Sequence, residues 1–281
     1  MNKQFSFTQL VGSAAKIPFV RIDRADFLTN NLSKVCTPQQ LQAAITDGTL
    51  HADIPIEILD SLAKTVINAE TLKVTAISAA AGIPGGIAIA ATIPADLAQF
   101  YGFVIRVAQE LAYIYGWREM FGESDELDMG TEAQLILFIG VMSGVSAANG
   151  IVAKLFGETA MKAVAKNIAN KALMKTCYYP IVKKIAALLG QRMTKEIFAK
   201  GVAKFVPVIG GVISGGVTLA TFKPMAHKLQ KHLSNLAHMS PKELAEYQES
   251  IIIDGEIVID EEVIPEDEPA ETEYVAVDIS A

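Results

Sequence analysis

Residues 94–116, PADLAQFYGFVIRVAQELAYIYG, repeat apolar side chains at intervals of three and four. Leu97, Tyr101, Val104, Ile105, Ala108, Leu111, Ala112 and Tyr115 fall on one side of a helix, while Asp96, Gln99, Arg106 and Glu110 fall on the other. Thr92 and Pro94 precede this helix, and Gly116 supplies a left-handed stop. Upstream, Ile56, Leu59, Leu62, Ala63, Val66 and Ile67 keep the same period after Asp53 and Pro55. Thr37-Pro38-Gln39-Gln40 is a capping box with proline at the first helical position, and that helix runs to Gly48. Ser240-Pro241-Lys242-Glu243 repeats the device before a helix near 241–250, and Pro180 suits the first turn of a helix over 181–189, leaving Tyr178 and Tyr179 as a boundary or an interfacial anchor.

The fold class is therefore all-α: a multi-helix bundle over residues 1–249. The one β signal is Ile251-Ile252-Ile253, Asp254-Gly255 and Glu256-Ile257-Val258-Ile259, where Asp-Gly suits a tight hairpin turn. Residues 250–281 carry 11 acids and no Lys or Arg, the composition of a disordered acidic tail.

Three segments carry no charge at all. Val74–Ala95, Leu135–Ala153 and Phe205–Phe222 are each about 18 to 22 residues long, near the length that spans a bilayer as a helix. All three place glycines four apart: Gly82 and Gly86 around Pro84 and Gly85, Gly140 and Gly144, and Gly211 and Gly215. Such spacing flattens a helix face so that another backbone can approach closely. Pro84, Pro94 and Pro207 interrupt helical hydrogen bonding, which argues against straight spans. Three geometries stay open: a hairpin buried in the protein core, a shallow dip into one leaflet, and a true span.

Charge is layered along the chain. Hydrophobic residues make up 51% and charged residues 20%, below the usual quarter or so, with a mean hydropathy of +0.32. A disordered, collagenous or disulfide-scaffold protein is excluded. The net charge of -7 hides an asymmetry: residues 1–153 hold 9 Lys+Arg against 15 Asp+Glu, and residues 154–231 hold 14 against Glu158 and Glu196 alone. The basic stretch is either a set of solvated helix faces or a surface for an anionic partner, each lysine near an anionic bilayer contributing about 1 kcal/mol. Lys183, Lys184, Arg192 and Lys195 are its candidate headgroup contacts. Its aromatics form no recognisable stacking module, so nucleic acid is not an expected partner.

Cys36 and Cys177 lie far apart without a CxxC, which fits free thiols in a reducing compartment. Met1–Lys16 lacks the unbroken apolar core of a signal peptide. The expected location is cytoplasmic, peripheral to or partly inserted in the inner face of the cell membrane.

Reaction chemistry is sparse. No P-loop, HExxH or GxSxG sequence occurs, and His51, His227, His232 and His238 lack metal-ligand spacing, so neither metal nor cofactor is expected. Asp96 and Arg106 stand about 15 Å apart along a straight helix, too far for direct contact. Arg106 and Glu110 read as an ordinary i,i+4 surface pair.

The order of these features resembles the EcsC protein family, a bacterial group named for a protein encoded beside an ABC transporter. The resemblance rests on Arg21-Ile22-Asp23-Arg24-Ala25-Asp26-Phe27-Leu28, Gly82-Ile83-Pro84-Gly85-Gly86, Pro94-Ala95-Asp96 to Tyr115-Gly116, and Pro207-Val208-Ile209-Gly210-Gly211. It covers about residues 15–235. It implies a membrane or transport connection and no settled activity, and the acidic tail looks like an addition. Two expectations follow. One is a non-enzymatic membrane-associating protein whose glycine-rich hairpins meet lipid or a membrane protein, whose basic stretch binds anionic headgroups and whose tail covers that stretch. The other is an enzyme acting on a lipid-like or hydrophobic substrate, with Asp96, Arg106 and Tyr115 around a pocket.

Overall fold

A computed structural model describes residues 6–81, 87–122, 127–157, 180–190 and 210–251, with side chains described outside 78–81, 87–96 and 210–218. Residues 82–86, 192, 195 and 252–281 lie outside it, and with them Pro84, most of the expected hairpin and the tail. The described part is helical and contains no strand. In chain order the helices are α1 (Phe7–Ala14), α2 (Arg24–Leu32), α3 (Pro38–Thr46), a 3-10 turn (Thr49–His51), α4 (Ile56–Ala81), α5 (Ile87–Ile114), α6 (Met129–Met142) and α7 (Ser146–Leu155). They continue with α8 (180–190), α9 (Gly210–Ala237) and α10 (Pro241–Ser250).

Local chemistry sets many of these ends. The Thr37–Gln40 and Ser240–Glu243 capping boxes form, each with proline in the first turn, and Ser6–Gln9 makes a third that opens α1. Gly48 and Gly116 sit at φ +108° and +87°, a region that costs other residues strain, and they end the turns after α3 and α5.

Helices α4, α5 and α9 form the centre. Tyr115 of α5 and His238, just past α9, both meet Asp60 of α4, while Phe100 of α5 stacks edge-on with Phe222 of α9 at 6.2 Å between centroids. Hence α5 and α9 run side by side in one direction and α4 opposes them. Around them, α1 packs on α5 and α6, α2 on α3 and α5, and α7 on α6. Residues 101–117 of α5 and its exit are buried on every side except at Arg106. A helix wrapped this way has no solvent face.

Two expectations change here. Helix α5 begins at Ile87 and carries Pro94 inside it, and α9 carries Pro224. One lost hydrogen bond per proline, about 3 kcal/mol, is offset by packing between the central helices. Second, Glu110 is 3% exposed, so its pairing with Arg106 is a buried contact and not a surface one, because α4 and α2 cover that side of α5. The uncharged segment 135–153 folds as the buried hairpin left open above: α6 ends at Met142, Gly144 turns the chain at φ +76°, and α7 folds back on α6. A Cβ on Gly140 would come within 2.7 Å of the Ala148 Cβ and 3.2 Å of Ile185, so the flat glycine face admits α7 and α8 inside the protein. Among the described residues, no helix is long and apolar enough to cross a membrane.

Candidate functional site

A cleft of about 410 Å³ opens between the segment before α2, α2 itself, α4 and α5. The Arg21–Leu28 motif builds one wall. Asp23 caps α2 through a 2.7 Å bond from the Asp26 amide. Buried Arg24 fastens the motif to the body: its guanidinium donates to the carbonyls of Trp117, Ile45 and Ala44 at 2.7–2.8 Å. Two polar residues one turn apart on α5 hold the incoming strand of chain. Gln109 accepts from the Ile22 amide and donates to the Val20 carbonyl, and Arg106 donates to the Phe19 carbonyl.

The cleft floor is ionic. Glu70 and Lys73 lie one turn apart on α4, Arg106 and Glu110 on α5. Lys73 Nζ donates to Glu70 Oε1 at 2.6 Å, Arg106 Nε approaches the same oxygen at 3.4 Å, and Arg106 Nη2 reaches Glu110 Oε1 at 3.3 Å. Glu70 is 1% exposed. The Oε2 atom of each glutamate is buried without a hydrogen-bond partner. Burial, and after it the charge of Glu70, push Glu110 up to about 8 against the pull of Arg106 and Lys73. At neutral pH Glu110 is thus mostly a neutral acid beside an ion-paired Glu70. Such an arrangement can hold a proton or accept hydrogen bonds from a cation.

A second polar network lies toward the other end of the bundle. Tyr115 donates to Asp60 Oδ1 at 2.6 Å, Gln230 donates to the Tyr115 oxygen at 3.1 Å, and His238 Nε2 lies 2.9 Å from Asp60 Oδ2. Burial raises the Asp60 pKa, but hydrogen bonds from Tyr115, His238 and Ser234 outweigh it and hold it below the usual value. Burial and the Asp60 bond push the Tyr115 phenol well above its ordinary range.

The residues singled out from sequence scatter over these features. Arg106 belongs to the cleft and Tyr115 to the second network; nine residues apart on one helix they point to opposite sides, about 13 Å apart along the axis. Asp96 lies in α5 a further 15 Å or so before Arg106, with its side chain outside the described residues. Gly140 and Gly144 sit at the α6–α7 turn, Gly211 and Gly215 in the first turns of α9. Lys183 and Lys184 are exposed on α8. Gly82, Pro84, Gly85, Gly86, Arg192 and Lys195 are outside the described residues. Glu70 had no signal in sequence: nothing near it in α4 marks it out from Glu57 and Asp60, and its partner Arg106 is 36 residues away.

One end of the α4–α5–α9 centre differs from the rest. Past Lys73, Asp96 and Lys223 the three helices carry no charge: residues 74–81 of α4, 87–95 of α5 and 210–222 of α9. The directions of the helices bring these three lengths to the same end. Leu72, Ile77 and Leu219, at or beside this end, are 71%, 38% and 45% exposed. Among the described residues no group of three or more His, Cys, Asp or Glu could hold a metal ion. Comparison of the chain with protein-family models, curated proteins and solved structures finds no match.

Proposed function

We propose that this is a non-enzymatic, membrane-associating helical protein that inserts the uncharged end of its central three helices into one leaflet. The convergence of three charge-free helix ends, with large apolar side chains exposed beside them, carries this reading. At 1.5 Å per residue the ends measure about 12, 14 and 20 Å. One leaflet offers about half of a 30 Å hydrocarbon core, so the lengths suit a shallow insertion and fall short of a span. Large apolar side chains exposed beside these ends favour an interface of this kind over open water. Lys73, Asp96 and Lys223 mark where polar headgroups would begin.

Residues 154–231, with Lys183, Lys184, Arg192 and Lys195 among them, attract anionic headgroups or an acidic face of a membrane protein at the cytoplasmic side of the membrane. The 11 acids of residues 250–281 cover that basic stretch until lipid displaces them. A relation to the EcsC family, with its transport setting, is part of the same proposal. An enzyme built on Asp96, Arg106 and Tyr115 draws no support from two networks on opposite sides of α5.

Fractionation of expressed protein tests the reading. An inserted end keeps the chain with membranes through high salt and carbonate and releases it with detergent. Release by salt alone leaves only lysine electrostatics, and recovery wholly apart from membranes contradicts the proposal.

A further inference from the structure

The cleft walled by the Arg21–Leu28 motif, with Lys73 in its lining, has a chemistry distinct from that of the uncharged helix ends. Burying carboxyl groups as deeply as Glu70 and Glu110, 1% and 3% exposed, costs free energy unless their oxygens are partnered. Each cation here has a partner: Lys73 meets Glu70, Arg106 meets both glutamates and the Phe19 carbonyl, and Arg21 Nε donates to the Ala15 carbonyl. The unpartnered atoms are Oε2 of Glu70, an acceptor, and Oε2 of Glu110, an acceptor once its proton is lost. A ligand that completes this set brings N–H donors.

We propose that this cleft binds a small organic cation with N–H donors, an ammonium or guanidinium group held between the carboxyl groups of Glu70 and Glu110. The terminal torsion of a glutamate is broad and two-fold, so each carboxyl can turn one oxygen toward the cleft while the other keeps its Arg106 or Lys73 contact. Asp23 and Asp26 on the wall add two further negative groups. Asn31 spends an amide N–H on the Phe27 carbonyl at 2.8 Å and has a carbonyl oxygen for a donor. Ile22, Phe27 and Val66 supply apolar contact for a short carbon stem. The volume lies within the usual ligand-site range of about 300 to 1,000 Å³. Two buried glutamates make a poor cage for Ca²⁺, which takes 6–8 oxygens.

Cation binding must also displace the proton on Glu110. The groups around that carboxyl are Glu70 and Lys73 from α4, Arg106 from α5, and Arg21, Asp23 and Asp26 from the α2 side. With Glu110 pushed up to about 8, proton competition weakens binding about elevenfold at pH 7 and hardly at all at pH 9.

Calorimetric titration of the full chain with methylguanidinium, which stays charged throughout, is the test. The expected result is saturable binding whose apparent Kd tightens about tenfold from pH 7 to pH 9. Tetramethylammonium, a cation without N–H donors, should bind far more weakly. Glu110→Gln should remove the pH dependence and weaken binding at pH 9 by tenfold or more. Equal binding of tetramethylammonium, preference for Ca²⁺, a flat pH profile in the unaltered chain, or no binding overturns the proposal. Competition for methylguanidinium by vesicles with ethanolamine headgroups, and not by choline vesicles, identifies a lipid as the natural source; competition by free ethanolamine alone identifies a soluble amine.

Discussion

Replacing Glu110 with glutamine keeps the size of the side chain and removes its titration, so it isolates the cost of a buried carboxyl. The folded chain holds the Glu110 proton up to about pH 8, whereas an ordinary glutamate releases it near 4.5. A pKa raised by folding contributes stability that is fully present below about 4.5 and is lost as pH rises through 8. At about 1.4 kcal/mol for each tenfold change in proton affinity, the loss is on the order of 5 kcal/mol between pH 4 and pH 9. The assay is urea unfolding followed by far-ultraviolet circular dichroism at half-unit steps of pH. The Glu110→Gln stability minus that of the unaltered chain should climb steadily between pH 4.5 and 8 and level off above. Asp60, held below its usual value, loses its contribution in acid, but it does so equally in both proteins. A difference that stays constant with pH, or shrinks as pH rises, refutes the reasoning that Glu110 is buried as a neutral acid.

Arg24→Lys keeps the charge but replaces a fork that reaches three carbonyls with one ammonium, so buried carbonyls lose partners; thermal unfolding should report a loss of about 2 to 5 kcal/mol. Gly140→Val drives a side chain into Ala148 at the α6–α7 contact, and urea unfolding should show destabilisation of about 1 to 3 kcal/mol or more. Removing residues 250–281 should increase binding to anionic vesicles in a sedimentation assay, and unchanged binding removes the masking role of the tail.

Much of the helical frame was legible because its signals are local. Capping boxes at Thr37 and Ser240, glycines at 48 and 116 and the periodic stripe of α4 act within a turn or two of chain, and each ends or orients a helix where expected. The α9 stripe Phe222, Ala226, Leu229, Leu233 and Leu236 was equally local but was masked by His227, His232 and the lysines between its apolar positions. The start of α5 was not legible, since a proline is tolerated inside a helix only when neighbours supply packing, and that packing comes from α4 and α9. The cleft could not be read at all. Arg106 and Glu110 have the spacing of a surface pair on any exposed helix, and only the covering of α5 by α4 and α2 turns them into a buried site with Glu70. Burial of polar residues is a property of the assembly, whereas caps and stops are properties of the segment.

The most direct measurement is flotation of the full chain with vesicles of anionic and of neutral lipid, beside a variant with one charge placed in the uncharged end, Ala90→Glu. The account predicts that the unaltered chain floats with anionic vesicles and stays bound in high salt. It predicts that Ala90→Glu loses the salt-resistant fraction while keeping its helical circular dichroism. A chain that stays at the bottom of the gradient with either lipid, or an Ala90→Glu variant that floats unchanged, contradicts insertion of the three helix ends.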